Sequence, residues 1–216
     1  MTGSDLERLS AREALRRLRE GNQRFAASSQ NLEPIVMLGH QPDLVTKQEP
    51  FAIVLGCSDS RVPAELVLGQ GFGDLFVIRV AGNVVAPSQI GSVEFAAERF
   101  GTRLVVVLGH SHCGAITATV EELLRPLQGR SPNLRSIVDR VRPAVEPLLA
   151  TELRSDADAL VRRAVRANVS ISVHHLRHGS EVLKRLIAND GLTVVGAEYS
   201  LETGVVEFFD GVDDAV

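Results

Sequence analysis

The chain lacks an excess of basic residues, because 23 Lys and Arg stand against 27 Asp and Glu, for a net charge of -4 among 216 residues. Such a balance does not predict a nucleic-acid-binding protein, which usually carries a basic patch. The sequence also lacks an apolar run long enough to cross a bilayer. Its first residues, Met1 to Asp5, begin a polar segment without the apolar core of a signal peptide. We therefore expect a cytoplasmic protein with neither a nucleic-acid nor a membrane partner.

Cysteine is scarce as well, since the chain has only Cys57 and Cys113. The two could form a disulfide, or they could be inert buried thiols, the commonest fate of a free cysteine. A reducing compartment argues against the disulfide. Their neighbours in the sequence, Asp59, Arg61 and His110, argue against inert thiols, because these residue types suit a chemically active site.

The overall composition is that of an ordinary globular protein, with 44% hydrophobic and 23% charged residues. A chain of this length can bury one good core, and no repeat or low-complexity segment divides it. We predict a single domain over residues 1–216, of which residues 1–50 form an N-terminal helical arm followed by a loop.

The N-terminal arm begins with Ser10-x-x-Glu13, the pattern of a capping box. Leu15, Leu18 and Phe25 follow at helical spacing, which predicts an amphipathic helix over residues 11–27. Such a helix packs either on the core of its own chain or on a partner subunit, and the sequence does not separate the two.

Beyond the arm, short apolar runs alternate with helical patterns. This alternation indicates an α/β fold with a mostly parallel sheet covered by helices on both faces. Thr203-Gly204 predicts a hairpin turn, so the last two strands are expected to be antiparallel. The predicted strands are residues 51–56, 74–79, 103–109, 192–197 and 205–209. The predicted helices are residues 63–68, 87–100 with Ser88 as N-cap, 113–124, 133–150 with interruptions at Pro143 and Pro147, 156–177 and 180–188.

Two polar motifs follow predicted strands. Cys57-Ser58-Asp59-Ser60-Arg61 comes after the first strand, and His110-Ser111-His112-Cys113-Gly114 comes after the third. Ligands of parallel sheets bind beyond the carboxyl ends of the strands, so the two motifs meet if these strands are neighbours. Two thiolates and an imidazole are the ligands of an open zinc site. The sequence therefore predicts zinc bound by Cys57, His110 and Cys113.

Taken together, the two motifs resemble those of the β-class carbonic anhydrases. The resemblance extends to residues 73–79, 81–83 and 91–95 and covers the order of elements from about residue 10 to about residue 209. It implies strand order 2-1-3-4 with an antiparallel fifth strand, and a homodimer or a dimer of dimers. It also implies an enzyme that reversibly hydrates CO2 to bicarbonate and a proton by a zinc-bound hydroxide, with one zinc per chain.

Asp59 and Arg61 lie two residues apart on a tight turn, close enough to pair. Elsewhere this spacing would indicate a surface ion pair worth about 0–1 kcal/mol. The resemblance implies instead that Arg61 holds Asp59 as a catalytic residue that orients the zinc-bound water. It further implies a closed state at low pH, in which Asp59 becomes the fourth zinc ligand and gates the site.

The resemblance to a plant-like subgroup also assigns four substrate-binding residues. Gln48 would hydrogen-bond substrate, Phe76 would form an apolar wall, Phe95 would replace a tyrosine, and Gly114 would offer its N–H to bicarbonate. Ordinary core packing for the two phenylalanines and a surface position for Gln48 are the alternatives. Another subgroup has Trp where this chain has Val54, so we expect its inhibitory bicarbonate site to be absent.

The remaining histidines are predicted to lie outside the zinc site. His112 is expected to be a partly exposed turn residue, and His174, His175 and His178 to lie on a solvated helix face. Two other functions stay open at this point, a hydrolase of CS2 or COS on the same scaffold and a non-catalytic zinc-stabilised binding protein. The second would be expected to lack Asp59 or Arg61, and this chain has both.

Overall fold

The computed structural model describes residues 9–28, 45, 48–125 and 131–212. Their centre is a sheet with strand order β2-β1-β3-β4-β5. The first four strands are parallel and β5 is antiparallel to β4, which confirms the predicted topology. The strands are β1 Ala52–Gly56, β2 Leu75–Arg79, β3 Leu104–His110, β4 Thr193–Tyr199 and β5 Val206–Asp210.

Helices cover both faces of this sheet, as predicted. Among the described residues they are α1 Ala11–Ser28, α2 Ala64–Val67, α3 Pro87–Arg99, α4 Gly114–Leu124, α5 Pro132–Val145, α6 Ala157–His178 and α7 Glu181–Asn189. Short 3-10 helices occur at Ala81–Asn83, Leu148–Ala150 and Glu152–Ser155. None of the described helices is long and apolar enough to cross a membrane.

Successive strand residues point to opposite faces of the sheet, and helices bury both faces. Val54, paired in register with Val106, belongs to the apolar cluster under α1 and α2. Ile53, paired with Val105, belongs to the cluster under α3, α6 and α7. Every residue of β1 and β3 is buried, as expected of central strands in a parallel sheet.

Helix α1 packs on the core of its own chain. Ser10 caps it, since its Oγ accepts a hydrogen bond from the Glu13 N–H at 3.2 Å. Further along, the buried amide of Asn22 donates to the carbonyls of Val67 and Gly204, and its Oδ1 accepts from the Val206 N–H at 2.8 Å. These bonds join the arm to α2 and to the β4–β5 hairpin. The loop predicted to follow the arm, up to residue 50, lies mostly outside the described residues.

Two local predictions are wrong. Ser88 is not the N-cap of α3, because the helix begins at Pro87, where the fixed φ of proline suits the first turn. Pro143 does not interrupt α5, which continues to Val145. The buried stripe that includes Val138, Val141 and Val145 holds the helix together despite the hydrogen bond that a proline removes.

Candidate metal centre

The carboxyl ends of β1 and β3 bring the two predicted motifs together. The strands are parallel neighbours, so their ends lie at the same edge of the sheet. Cys57 follows the last residue of β1, and His110 is the last residue of β3, one residue later than the predicted strand end. Cys113 comes directly before α4.

Cys57, His110 and Cys113 form a compact cluster, called the metal centre below. Their two sulfur atoms and one ring nitrogen lie within 4.8 Å of one another. The exposed fractions of the three residues are 5%, 0% and 1%. The sequence-predicted ligands are therefore close together and shielded from bulk water.

The two ring nitrogens of His110 have different surroundings. Nδ1 lies 2.9 Å from the Ser111 carbonyl oxygen, and a hydrogen bond there leaves Nε2 as the free lone pair. Nε2 is buried and has no hydrogen-bond partner among the described residues. A buried polar atom without a partner is costly unless it binds something, and here it lies beside two sulfur atoms. This donor set fits a zinc ion.

The electrostatics of the two cysteines differ. The Cys113 thiol and the Gly82 N–H act on the Cys57 sulfur as hydrogen-bond donors and lower its pKa, against the effect of burial. The Cys57 thiolate and burial raise the pKa of Cys113, although the N–H groups of the first turn of α4 act in the opposite direction. The surroundings thus favour a thiolate at Cys57 first, and a cation at the centre would favour the second thiolate.

Asp59 and Arg61 form a bidentate ion pair beside the metal centre. Arg61 Nε donates to Asp59 Oδ1 at 2.9 Å, and Nη2 donates to Oδ2 at 2.7 Å. These bonds hold the pKa of Asp59 well below its usual range. Asp59 Oδ2 lies 3.9 Å from His110 Nε2, so an ionised carboxylate faces the centre.

Arg79 is a supporting residue to which the sequence analysis assigned no role. Its Nε donates to the Cys57 carbonyl at 3.1 Å, and its Nη2 donates to the Asp59 carbonyl at 2.6 Å. Arg79 thereby fixes the main chain of the first motif at both functional residues. The available signal was its position at the end of a strand predicted to neighbour β1, because parallel strands end at the same edge.

The second motif is attached to the β4–β5 hairpin through Glu202. Its carboxylate accepts hydrogen bonds from the hydroxyls of Ser111 and Ser200 at 2.8 and 2.9 Å, and Oε1 lies 2.6 Å from His112 Nε2. The His112 side chain is 69% exposed and points away from the metal centre to Glu202. The turn position predicted for His112 is confirmed. The three histidines of α6, His174, His175 and His178, are exposed as predicted.

The four residues assigned to substrate lie in different surroundings. Phe76 on β2 is half-buried, and its ring centroid is 6.1 Å from that of Phe95 on α3, which is 53% exposed. Gly114 is exposed next to Cys113, as the first residue of α4. Gln48 is exposed on the segment that leads into β1.

Comparison with known proteins gives consistent results. The family model described as "Carbonic anhydrase" matches residues 52–206. The chain is 37% identical over 193 residues to carbonic anhydrase 2 of Mycobacterium tuberculosis, an alignment that covers 88% of this chain and 89% of that protein. It is 36% identical over 203 residues to the carbonic anhydrase of Mycolicibacterium smegmatis, covering 93% and 94%.

Solved structures are similar over nearly the whole chain. The β-carbonic anhydrase CafA of Aspergillus fumigatus matches with a TM-score of 0.70 and 28% identity, over 91% of this chain and 92% of that one. A tetrameric β-carbonic anhydrase of Sordaria macrospora matches with a TM-score of 0.69 and 26% identity, over 88% and 93%. The match to the family model, the similarity to these relatives and the shared fold together show that this chain belongs to the β-class carbonic anhydrases.

Proposed function

We propose that the protein hydrates CO2 reversibly to bicarbonate and a proton, with one zinc per chain bound by Cys57, His110 and Cys113. The observation that carries the proposal is the partnerless Nε2 of His110 among two buried sulfur atoms, in a chain of the carbonic anhydrase family. Zinc bound there would act as a Lewis acid and lower the pKa of a water from 15.7 to roughly 7, which makes it a nucleophile for CO2.

Asp59 serves in this proposal as the acceptor that orients the attacking water. Its carboxylate stays ionised because Arg61 donates to both oxygens, and it faces the metal centre near His110. An ionised carboxylate can accept a hydrogen bond from a nearby water and so direct a lone pair of that water toward CO2. Arg61 keeps its charge over the whole working range of pH.

The closed state also stays a prediction. In that state Asp59 leaves Arg61 at low pH and becomes the fourth zinc ligand. Activity is then expected to rise with pH. Crystal structures at acidic and alkaline pH, together with a pH–rate profile, test this gate. The gate would be contradicted if Asp59 were still paired with Arg61 at an acidic pH at which the enzyme is inactive.

The surroundings of the metal centre suit a small apolar substrate and an anionic product. Gly114 is exposed at the N-terminus of α4, where free N–H groups and the helix dipole favour an anion such as bicarbonate. Phe76 and Phe95 are proposed as the apolar wall, and Gln48 as a hydrogen-bond donor to substrate.

We also propose a homodimer or a dimer of dimers, formed through an aromatic surface beside the outer strand β2. The ring centroids of Phe76, Phe95 and Phe100 lie within 6.1 Å of one another, and Phe95 is about half exposed. Exposed aromatic clusters of this kind are typical of interfaces. Light scattering tests the assembly, and Phe95→Lys should weaken it while Leu134→Lys, at another exposed apolar position, should not.

The function is tested by measuring metal content and CO2 hydration on one sample of reduced, folded protein. We expect one zinc per chain and activity that a chelator removes and zinc restores. Zinc without CO2 hydration would favour the non-catalytic binding protein, and faster turnover of CS2 or COS would favour the related hydrolase. A cytoplasmic location also stays a prediction, since a reducing compartment would keep Cys57 and Cys113 from forming a disulfide.

A further inference from the structure

A strained turn between β2 and α3 contacts the metal centre through its main chain. It is the 3-10 turn Ala81–Asn83, called the site turn below. The Gly82 N–H donates to Cys57 Sγ at 3.3 Å. Gly82 has φ +70° and Asn83 has φ +43°, so two successive residues have a positive φ, which is uncommon for any residue other than glycine even though asparagine tolerates it better than most. Such a conformation persists only when its surroundings enforce it.

Two buried side chains of α6 provide that enforcement. The Asn168 amide donates to the Gly82 carbonyl at 2.8 Å, and the Ser172 hydroxyl donates to the Asn83 carbonyl at 3.1 Å. Each residue is only 2% exposed. They lie four residues apart, which is one helical turn, so both reach the same segment from one face of the helix.

Close packing of α6 on the sheet brings these side chains within reach of the site turn. Val169, the residue after Asn168, packs on Gly109 of β3 and Gly196 of β4. A Cβ added to Gly109 would lie 2.5 Å from a Val169 methyl carbon, and one added to Gly196 would lie 2.8 Å from the other. The two glycines therefore allow the helix to approach the strands more closely than a side chain would permit.

We propose that Asn168 and Ser172 are positioning residues of the metal centre, which hold the site turn so that the Gly82 N–H stays on the Cys57 sulfur. This inference depends on the zinc function proposed above. An N–H donor stabilises the negative charge of a thiolate ligand and restricts its direction, and partners of this kind are needed for full metal affinity. Cys113 is less dependent on such support, because it directly precedes α4, and the positive end of a helix dipole favours a thiolate there.

The test compares Asn168→Ala and Ser172→Ala with Asn22→Ala. Asn22 is a matched control, since it is also buried and also bonds to main-chain groups, but it lies between α1 and the β4–β5 hairpin. Zinc affinity is measured by competition with a chelator on the full chain. The thiolate-to-metal charge-transfer band of the Co2+-loaded protein reports separately on the sulfur ligands.

We expect Asn168→Ala to weaken zinc binding by about 10- to 100-fold and to shift the Co2+ band. Ser172→Ala should act in the same direction with a smaller effect, and Asn22→Ala should lower stability without changing either readout. If Asn168→Ala does not fold, the same measurements on Ser172→Ala decide the question. This variant removes only one hydroxyl group and replaces serine by a better helix former.

The inference would be overturned if both α6 variants had the same zinc affinity and the same Co2+ spectrum as Asn22→Ala. Asn168 and Ser172 would then have only an ordinary structural role. Failure of the proposed function looks different, because the wild-type protein itself would then bind no zinc.

Discussion

The metal centre and its rim differ in burial and in the bonds that hold them. Cys57, His110 and Cys113 are at most 5% exposed and come from strand ends and a helix start. The rim, formed by Asp59, Arg61, His112 and Glu202, is held by ion pairs near water, and the side chains of Arg61 and His112 are 53% and 69% exposed. We infer that the buried part determines metal affinity and that the rim determines reactivity.

The largest effect is expected from breaking the buried part. Cys57→Ser replaces a thiolate ligand by a hydroxyl that does not ionise near neutral pH, so the protein should lose zinc and activity together. Elemental analysis and CO2 hydration measure the two losses. Ser58→Ala, an exposed change one residue away, is the control and should keep its zinc. Stoichiometric zinc in Cys57→Ser would show that the cluster is not the binding site.

Breaking the rim should separate activity from metal content. Arg61→Ala removes both side-chain donors to Asp59, so the carboxylate loses its orientation while the three ligands stay in place. We expect kcat/KM to fall by about a hundredfold or more with zinc still bound, because misplaced catalytic groups cost that much. Arg185→Ala, which breaks an exposed ion pair with Glu98 on another surface, should change neither quantity. Loss of zinc from Arg61→Ala would refute the division between buried part and rim.

Gly109→Ala tests the buried support of the metal centre separately, because it changes the packing of α6 on the sheet and replaces none of the three ligands. The new methyl group would lie 2.5 Å from a Val169 methyl carbon, so α6 must shift. We expect the free energy of unfolding to fall by about 1–3 kcal/mol, the usual cost of overpacking, and zinc affinity to fall with it. Denaturant unfolding measures the first change and chelator competition the second.

Two further variants check the cause of that loss. Val169→Ala removes the clashing methyl groups, so the double variant should lose less stability than the two single losses combined. Gly91→Ala in α3 meets no atom within 4 Å and should stabilise the protein slightly, by about 0.5–1 kcal/mol. If the stability losses of Gly109→Ala and Val169→Ala were strictly additive in the double variant, the clash with α6 would not be the cause of the loss at Gly109.

The smallest effect is expected at the outer rim, where it depends on pH. Hydrogen bonds from Ser111, Ser200 and His112 lower the pKa of Glu202 to about 2. Since glutamate in the unfolded chain has a pKa of about 4.3, Glu202 stabilises the folded protein above that pH, and the contribution is lost as the pH falls toward 2. The stability difference between wild type and Glu202→Gln should therefore shrink from about pH 6 to about pH 3 in urea unfolding. A stability difference between the two proteins that increases as the pH falls would contradict this prediction.

The sequence predicted the elements well where local pattern and final environment agree. The apolar runs that became β1 and β3 are central strands, and the capping pattern at Ser10 and Glu13 became the start of α1. The predictions at Ser88 and Pro143 were wrong, because a neighbouring proline in one case and a buried helix face in the other outweighed the local signal.

The functional groups of the site can be recognised in the sequence alone, as two cysteines and a histidine at predicted strand ends with a carboxylate and a guanidinium beside them. That information is local, because each motif occupies five consecutive residues. The residues that support the centre became visible only in the folded chain. Asn168 lies 86 residues from the Gly82 carbonyl that it bonds, and Glu202 lies 91 residues from Ser111. Such pairs are created by the packing of α6 and of the hairpin against the sheet, and side chains so far apart in the chain carry no periodic signal of their contact.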